Sequence, residues 1–284
     1  MLKFKRTRCG VCNSGRYRKK YEIKSKIPFT VVKCECGMVY VNPVVKNIEK
    51  LYEKDYYHGT ARTGFNFTNP LKYEKETRLM HTERLSMIEK VTGLKHGRLL
   101  DIGCTFGMFV KTAGSRGWNA YGCDLSRYAA DRARKIGIKN IKTGTAGTAG
   151  FRSNYFDVVT LFEVIEHIDR PLNEMKKINS LLKKGGWVVI QTGNLGSMTA
   201  KIRGKNNPYF QLGHVNYFSK HTLRRLLKES GFEIVLLKTH TEKIEPAKIA
   251  LGKAKAADYA RLFYYKLFEK LNISGSMVCY ARKL

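Results

Sequence analysis

Long apolar runs are missing from this chain: nowhere does it approach the roughly 18 consecutive apolar residues of a membrane-crossing helix. The opening Met1-Leu2-Lys3-Phe4-Lys5-Arg6 is charged and has no apolar stretch behind it, so no secretory signal is expected and the protein reads as cytoplasmic. Acidic residues are also scarce, 23 Asp and Glu against 53 Lys and Arg, a formal net charge of +30 over 284 residues. Such a surface attracts nucleic acid, anionic membrane or phosphorylated small molecules, and charge alone does not choose among them. The excess is densest early, with 13 basic and 3 acidic residues in positions 1–50. Two phosphate-cradling patterns are absent as well: no glycine run ends in Gly-Lys-Ser/Thr, and Thr105 breaks the only candidate for Gly-x-Gly-x-x-Gly.

What is present is a folded composition, 43% hydrophobic and 11% aromatic, long enough for one large α/β domain and a small appendage. Seven cysteines without a secretory signal point to reduced thiols and a metal rather than disulfides. Four of them form two pairs, Cys9-x-x-Cys12 and Cys34-x-Cys36. Thiolates so spaced can surround one Zn2+, and a module of about 45 residues would draw most of its stability from that ion.

From residue 98 onward, β-branched runs at 98–103, 119–123, 140–143, 156–161 and 187–192 alternate with helical patterns at 107–116, 126–136 and 171–183, predicting a parallel sheet covered by helices. Lys183-Lys184-Gly185-Gly186 reads as a helix stop. Residues 193–218 read as irregular; Ser219 caps a helix through Glu229, Phe232–Leu237 follows as a strand, 246–271 as a helix and 276–282 as a last strand. The organisation expected is a cysteine module over 1–45, a helical, Tyr- and Lys-rich linker or lid over 46–95, and the α/β domain over 96–284 with 246–271 as an insertion.

After the first strand comes Asp101-Ile102-Gly103-Cys104-Thr105-Phe106-Gly107, and 21 residues beyond Gly103, Asp124 closes the second strand. Two glycines allow a sharp turn and a close backbone approach. The helix behind them points free N–H groups into the same crevice, where open α/β sheets bind ligands, and Asp124 stands where a carboxylate can take both hydroxyls of a ribose.

This Asp-x-Gly-x-x-x-Gly turn resembles motif I of the class I S-adenosylmethionine (SAM)-dependent methyltransferases, with Thr105 in place of the usual middle glycine. Phe156 through Ile168 resembles that family's fourth strand and following loop, Leu181-Leu182-Lys183-Lys184-Gly185-Gly186-Trp187 its entry to the fifth, and His214-Val215-Asn216-Tyr217-Phe218-Ser219 a segment of one subgroup. The resemblance covers about residues 46–284. It implies a Rossmann-like, seven-stranded, mostly parallel sheet whose seventh strand slips antiparallel between the fifth and sixth. It further implies SAM bound by Asp101, Gly103, Cys104, Thr105, Gly107, Asp124, Leu125 and Phe162. The loop after the third strand offers no acid for the adenine.

Glu163, Glu166 and His167 sit at the mouth of the fourth strand. Glu163 could help orient SAM, and His167 or His214 could serve as general base. The Glu-x-x-Glu-His spacing also resembles the magnesium-linked motif of ubiquinone-pathway O-methyltransferases, so Mg2+ is the alternative at these residues. No Asn/Asp-Pro-Pro-Tyr/Phe motif and no Pro-Cys pair is present, which argues against methylation of nucleic-acid bases. Cys34-Glu35-Cys36-Gly37-Met38-Val39-Tyr40-Val41-Asn42-Pro43 resembles the zinc-knuckle leader of methyltransferases that often act in sugar or surface-polysaccharide biosynthesis. The second knuckle is one residue short of the usual form. Leu51-Tyr52-Glu53-Lys54-Asp55-Tyr56-Tyr57 resembles that group's lid, with Tyr56 or Tyr57 over the cofactor.

The expected activity is methyl transfer to oxygen, or else carbon, of a small or saccharide- or nucleotide-linked acceptor. The alternatives are an RNA methyltransferase that reads RNA with its basic zinc module, and a non-catalytic zinc-dependent scaffold with a relict SAM fold. Peripheral membrane contact through 246–271 is a further expectation; oligomeric state is not legible.

Overall fold

The computed structural model describes residues 2–52, 54–58, 60, 74–240, 267, 270–271 and 273–284. The helix expected over 246–271 lies almost wholly outside them. In chain order the elements are β1 (Phe4–Lys5), β2 (Tyr17–Ile23), β3 (Phe29–Cys34), β4 (Val39–Val41), β5 (Val44–Val45), α1 (Lys54–His58), α2 (Glu74–Thr92), β6 (Gly97–Ile102), α3 (Met108–Ser115), β7 (Trp118–Asp124), α4 (Arg127–Lys135), β8 (Ile141–Thr143), β9 (Phe156–Phe162), α5 (Pro171–Leu181), β10 (Leu182–Gly193), α6 (Met198–Arg203), β11 (Asn216–Tyr217), α7 (Lys220–Glu229), β12 (Phe232–His240) and β13 (Ser276–Lys283).

The larger sheet runs β12-β13-β10-β9-β6-β7-β8. β8, β7, β6, β9 and β10 pair in parallel, and β13 runs antiparallel between β10 and β12. This is the Rossmann-like order the sequence led us to expect. Strands buried on both faces need apolar side chains at successive positions. Leu99, Val158 and Val189 pack on the side of α2, α3 and α4, whereas Leu100, Val159 and Val188 pack on the side of α5 and α7. α7 starts with a capping box, Ser219 and Thr222 satisfying each other's backbone, and lays Leu223, Leu226 and Leu227 on the sheet.

A smaller sheet, β11-β4-β3-β2, joins the N-terminal segment to the large domain, because β11 belongs to the chain after β10. Asn216 pairs with Tyr40 and Tyr217 with Val39. Gly10 abuts α5, where a Cβ would stand 2.5 Å from Pro171 Cδ. Cys9, Val11, Cys34 and Met38 enter the same apolar cluster as Phe218 and Leu223.

Gly103 turns with φ 69°, and a Cβ on it would lie 2.5 Å from Val164 Cγ2. Gly103→Ala is therefore expected to cost about 2–3 kcal/mol of stability, read as a lower urea midpoint at unchanged m. An unmoved midpoint would mean that Val164 yields freely.

Candidate active site

The turn between β6 and α3 is built around Asp124. Its two carboxylate oxygens accept the Thr105 N–H (2.9 Å) and the Ser126 N–H (2.8 Å). Thr105 holds φ 49°, a region that costs a β-branched residue about 1–3 kcal/mol, and the bond to Asp124 fixes it there. The position where the family carries glycine is thus one that needs a left-handed backbone. Asp101 accepts from Thr160 Oγ1 at 2.7 Å. Burial raises both carboxyls from their ordinary value of 3.8, Asp101 to about 7 and Asp124 to about 6.

The sequence-derived cofactor set divides by orientation. Asp101, Gly103, Thr105, Gly107 and Asp124 surround the turn, and Leu125 is exposed beside it. Cys104 turns its sulfur inward against β7, since a Cβ on Gly122 would meet it at 2.7 Å. Phe162 packs edge-on against Phe109. The Arg84 guanidinium lies 4.5 Å from the centre of the Phe162 ring, and its charge lowers the carboxyls of Asp101 and Glu163. Arg84 was not legible beforehand, because a basic residue on an amphipathic helix carries no mark of where it points.

Tyr52 and α1 lie against this turn. Tyr57 packs on Phe106 and Tyr128 with ring centres 5.3 and 5.6 Å away. Tyr52 links this turn to the loop after β9. Its carbonyl accepts from Ser126 Oγ (2.8 Å), and its hydroxyl lies 2.8 Å from His167 Nδ1.

At the ends of β9 and β10, Glu163 adopts φ 56°, its N–H on the Gln191 carbonyl (2.9 Å) and its Oε1 accepting from Gln191 Nε2 (3.0 Å). Burial and the neighbouring Glu166 push its carboxyl well above the usual range. Glu166 is fully buried. Its Oε2 accepts from Thr192 (2.9 Å), while its Oε1 has no hydrogen-bond partner among the described residues. His167 Nδ1 is 2.9 Å from the Gly213 carbonyl; a carbonyl only accepts, so Nδ1 carries the ring proton and Nε2 the basic lone pair. His214 donates from Nδ1 to the Tyr209 carbonyl (2.9 Å) and accepts at Nε2 from Gln211 (2.8 Å). The two imidazoles meet edge to face at 4.6 Å. Burial lowers both, His167 to about 4, so both are neutral near pH 7. One ligand atom from each of Glu166, His167 and His214 falls within a 4.8 Å cluster, which Glu163 does not join.

The four paired cysteines also converge. Cys9 and Cys36 sulfurs lie 3.6 Å apart and Cys12 and Cys34 sulfurs 3.5 Å apart, with all four inside 4.8 Å. Sulfurs at about 2.3 Å from a tetrahedral Zn2+ stand about 3.8 Å from one another, close to these spacings. Gly37 at φ 89° turns the short second knuckle tightly enough to close the set.

Residues 74–237, more than half of the chain, match the family described as a methyltransferase domain, and the chain belongs to that family. It is a class I SAM-dependent methyltransferase, with SAM as its methyl donor. It is 31% identical over 122 residues to the ubiquinone biosynthesis O-methyltransferase of Nitrosomonas europaea, a match spanning 39% of this chain and half of that one. With the Burkholderia pseudomallei protein of the same name it shares 27% over 174 residues, 55% of this chain and 72% of that one. Among solved structures, a SAM-dependent methyltransferase from Archaeoglobus fulgidus aligns with TM-score 0.53 at 24% identity, over 72% of this chain and 93% of that one. Haemonchus contortus phosphoethanolamine N-methyltransferase 2, solved with SAM, aligns with TM-score 0.56 at 22% identity, over 86% of this chain and 62% of that one. Among the described residues no helix is long and apolar enough to cross a membrane.

Proposed function

We propose that this enzyme methylates an oxygen of a small, saccharide- or nucleotide-linked acceptor, with His167 as general base. The observation that carries this is the His167 ring, neutral and turned by Gly213 so that Nε2 is the basic atom. When bound, SAM supplies an activated methyl group on a sulfonium. The chain's task is placement. Asp124 takes the ribose hydroxyls, Asp101 faces the methionine ammonium and Arg84 its carboxylate. Tyr52 ties the base to the loop that holds the ribose. Glu163 and Glu166, held by Gln191 and Thr192, brace the floor below the acceptor. The curated relatives are named as O-methyltransferases, which favours oxygen over carbon. Incubating the protein with SAM and cell extract, and following the product by mass spectrometry, is expected to show one added methyl on an oxygen. A methyl on nitrogen or carbon would overturn the oxygen assignment, and His167→Ala at full rate would remove the base.

The pH dependence of cofactor binding follows from Asp101. Ligand-free, its carboxyl titrates at about 7, and a cationic ammonium beside it favours the ionised form. Binding near neutrality therefore releases a proton, and SAM affinity rises from pH 6 to 8 and then levels. Stability runs the other way. Between 3.8 and about 7 the native state binds more protons than the unfolded one, so this group's contribution falls as pH rises. Calorimetry in buffers of different ionisation enthalpy reads the proton count, and none released at pH 7 would refute the Asp101 contact.

The cysteine cluster is proposed to hold one structural Zn2+. A second reading places a further divalent cation on Glu166, His167 and His214, where it would take the His214 Nε2 lone pair from Gln211; it is favoured by Glu166 Oε1, which has no hydrogen-bond partner among the described residues. Two imidazoles and one carboxylate suit Zn2+ or a transition metal better than Mg2+. The base reading expects one metal equivalent per chain by elemental analysis, and the cation reading two.

A further inference from the structure

Beyond Tyr209, at the carboxyl end of β10, lies a cavity of about 340 Å³ whose polar lining includes Asn194, Ser197, Thr199, Arg203, Asn207 and Ser276. That volume is in the range of small-molecule sites. Among the described residues no carboxylate lines it, and none pairs with Arg203. The polar groups around Arg203 are fixed. Asn194 spans the Ser274 carbonyl (3.1 Å) and the Gly196 N–H (3.1 Å). Ser197 caps α6 through the Ala200 N–H (3.1 Å), and Asn207 Oδ1 accepts the Tyr209 N–H (3.0 Å). One cation among hydroxyls and amides, with no anion beside it among the described residues, suits a phosphorylated polyol.

The cavity and the reacting centre share a wall. Tyr209 lies so close over Gly193 that a Cβ there would be 2.3 Å from its Cζ. Its hydroxyl accepts the Gly193 N–H (2.9 Å) and lies 3.0 Å from Thr192 Oγ1, which in turn donates to Glu166. The ring also packs on His214 with centres 4.5 Å apart. A ligand seated against Tyr209 is thus held at a fixed place relative to the His167–His214 pair.

We propose that this cavity binds the phosphate-bearing part of the methyl acceptor, a phosphate ester of a hydroxylated compound, with Arg203 as the anion-reading residue. The proposal rests on the methyl-transfer reading of the adjoining site. Its test titrates glucose, inorganic phosphate, glucose 1-phosphate and uridine diphosphate glucose into the full chain, with and without S-adenosylhomocysteine, by calorimetry. Glucose 1-phosphate is expected to bind at least tenfold more tightly than glucose or phosphate. Arg203→Glu, an exposed change on a short helix, is expected to lose at least that factor at unchanged S-adenosylhomocysteine affinity, and Arg203→Lys to recover part of it. The nucleotide-linked sugar distinguishes the sources: tighter binding assigns a nucleotide-linked acceptor, equal or weaker binding a free phosphosugar. Phosphate-independent binding, no binding of any of the four probes, or an Arg203→Glu variant that binds as well as the wild type would overturn the cavity's role. A chain that binds the ester through Arg203 but not S-adenosylhomocysteine would overturn the cofactor site instead.

Discussion

On the proposal that the four cysteines hold Zn2+, replacing Cys9 or Cys34 with serine, or treating the protein with a strong chelator, is expected to lower methyl transfer steeply although the cysteines lie outside the predicted SAM set. Both residues are 2% exposed and belong to the apolar cluster that carries Phe218 and Leu223 of the large domain. β4, the strand that follows the second cysteine pair, pairs with β11, and Val41 N–H bonds the Val215 carbonyl at 2.9 Å. Val215 N–H in turn bonds the Glu166 carbonyl at 2.8 Å, and Asn216 Nδ2 bonds the Ile168 carbonyl at 2.6 Å. β4 therefore holds Val215, the neighbour of His214 in the chain, and Val215 in turn holds the Glu166 backbone. A structural Zn2+ supplies about 10–16 kcal/mol to a small module, as much as the whole stability of an ordinary domain, about 5–15 kcal/mol. Without it β4 keeps its pairing with β3 and β11, but the turn at Cys34–Gly37 that leads into it loses the ion that would fix it. A fall of at least about 100-fold in turnover is expected, the upper end of what removing the supports of a ligand or base costs. SAM affinity should fall less, because the turn at Asp101–Gly107 is built on β6, β7 and α3. Elemental analysis, near-UV circular dichroism and turnover on the same sample check this. A metal-free protein with full activity would show the module to be a passenger.

How far such coupling can be read beforehand depends on whether its cause is local. The central strands of the large sheet, β6, β9 and β10, announce themselves through apolar runs, and Ser219 announces α7 by its own capping chemistry. The Lys183-Lys184-Gly185-Gly186 stretch misled in one respect. It reads as a helix stop, yet α5 ends at Leu181 and β10 begins at Leu182, paired with Phe156 before a register shift to Trp187. Gly185 at φ 70° absorbs that irregularity, so the glycine serves a strand entry rather than a helix exit. β11 is beyond local reading, being two residues long and extended only because β4, some 175 residues earlier, offers an edge. Tyr52, Arg84 and Tyr209 were missed as site residues for the same reason, since their importance lies in partners distant in sequence. Thr105 was flagged as a departure from motif I, and Asp124 supplies its physical account.

Asp124→Ala is expected to weaken SAM binding by about 100-fold or more while the fold survives, and the two effects separate because this carboxylate works against its own burial. Its charge is 7% exposed and titrates at about 6 instead of 3.8, a penalty of about 3 kcal/mol for keeping it ionised above pH 6. The bonds from the Thr105 and Ser126 N–H groups already offset part of the burial cost within that value, since both lower the carboxyl. Removing the side chain gives up both sides of this balance, so the net change in stability is small, about 1–2 kcal/mol, and shrinks further as pH rises. Binding has no such compensation. Thr105 loses the acceptor that holds its left-handed backbone, and the ribose hydroxyls lose an acceptor that neither Leu125 nor Ser126 can replace. Asp124→Asn sharpens the contrast, because an amide keeps one acceptor for the turn and presents a donor where the ribose also donates. It should therefore be at least as stable as the wild type above pH 7 and still bind SAM at least tenfold more weakly. Thermal unfolding and calorimetric titration at pH 6 and 8 resolve the two quantities, and an Asn variant with wild-type affinity would remove Asp124 from the cofactor site.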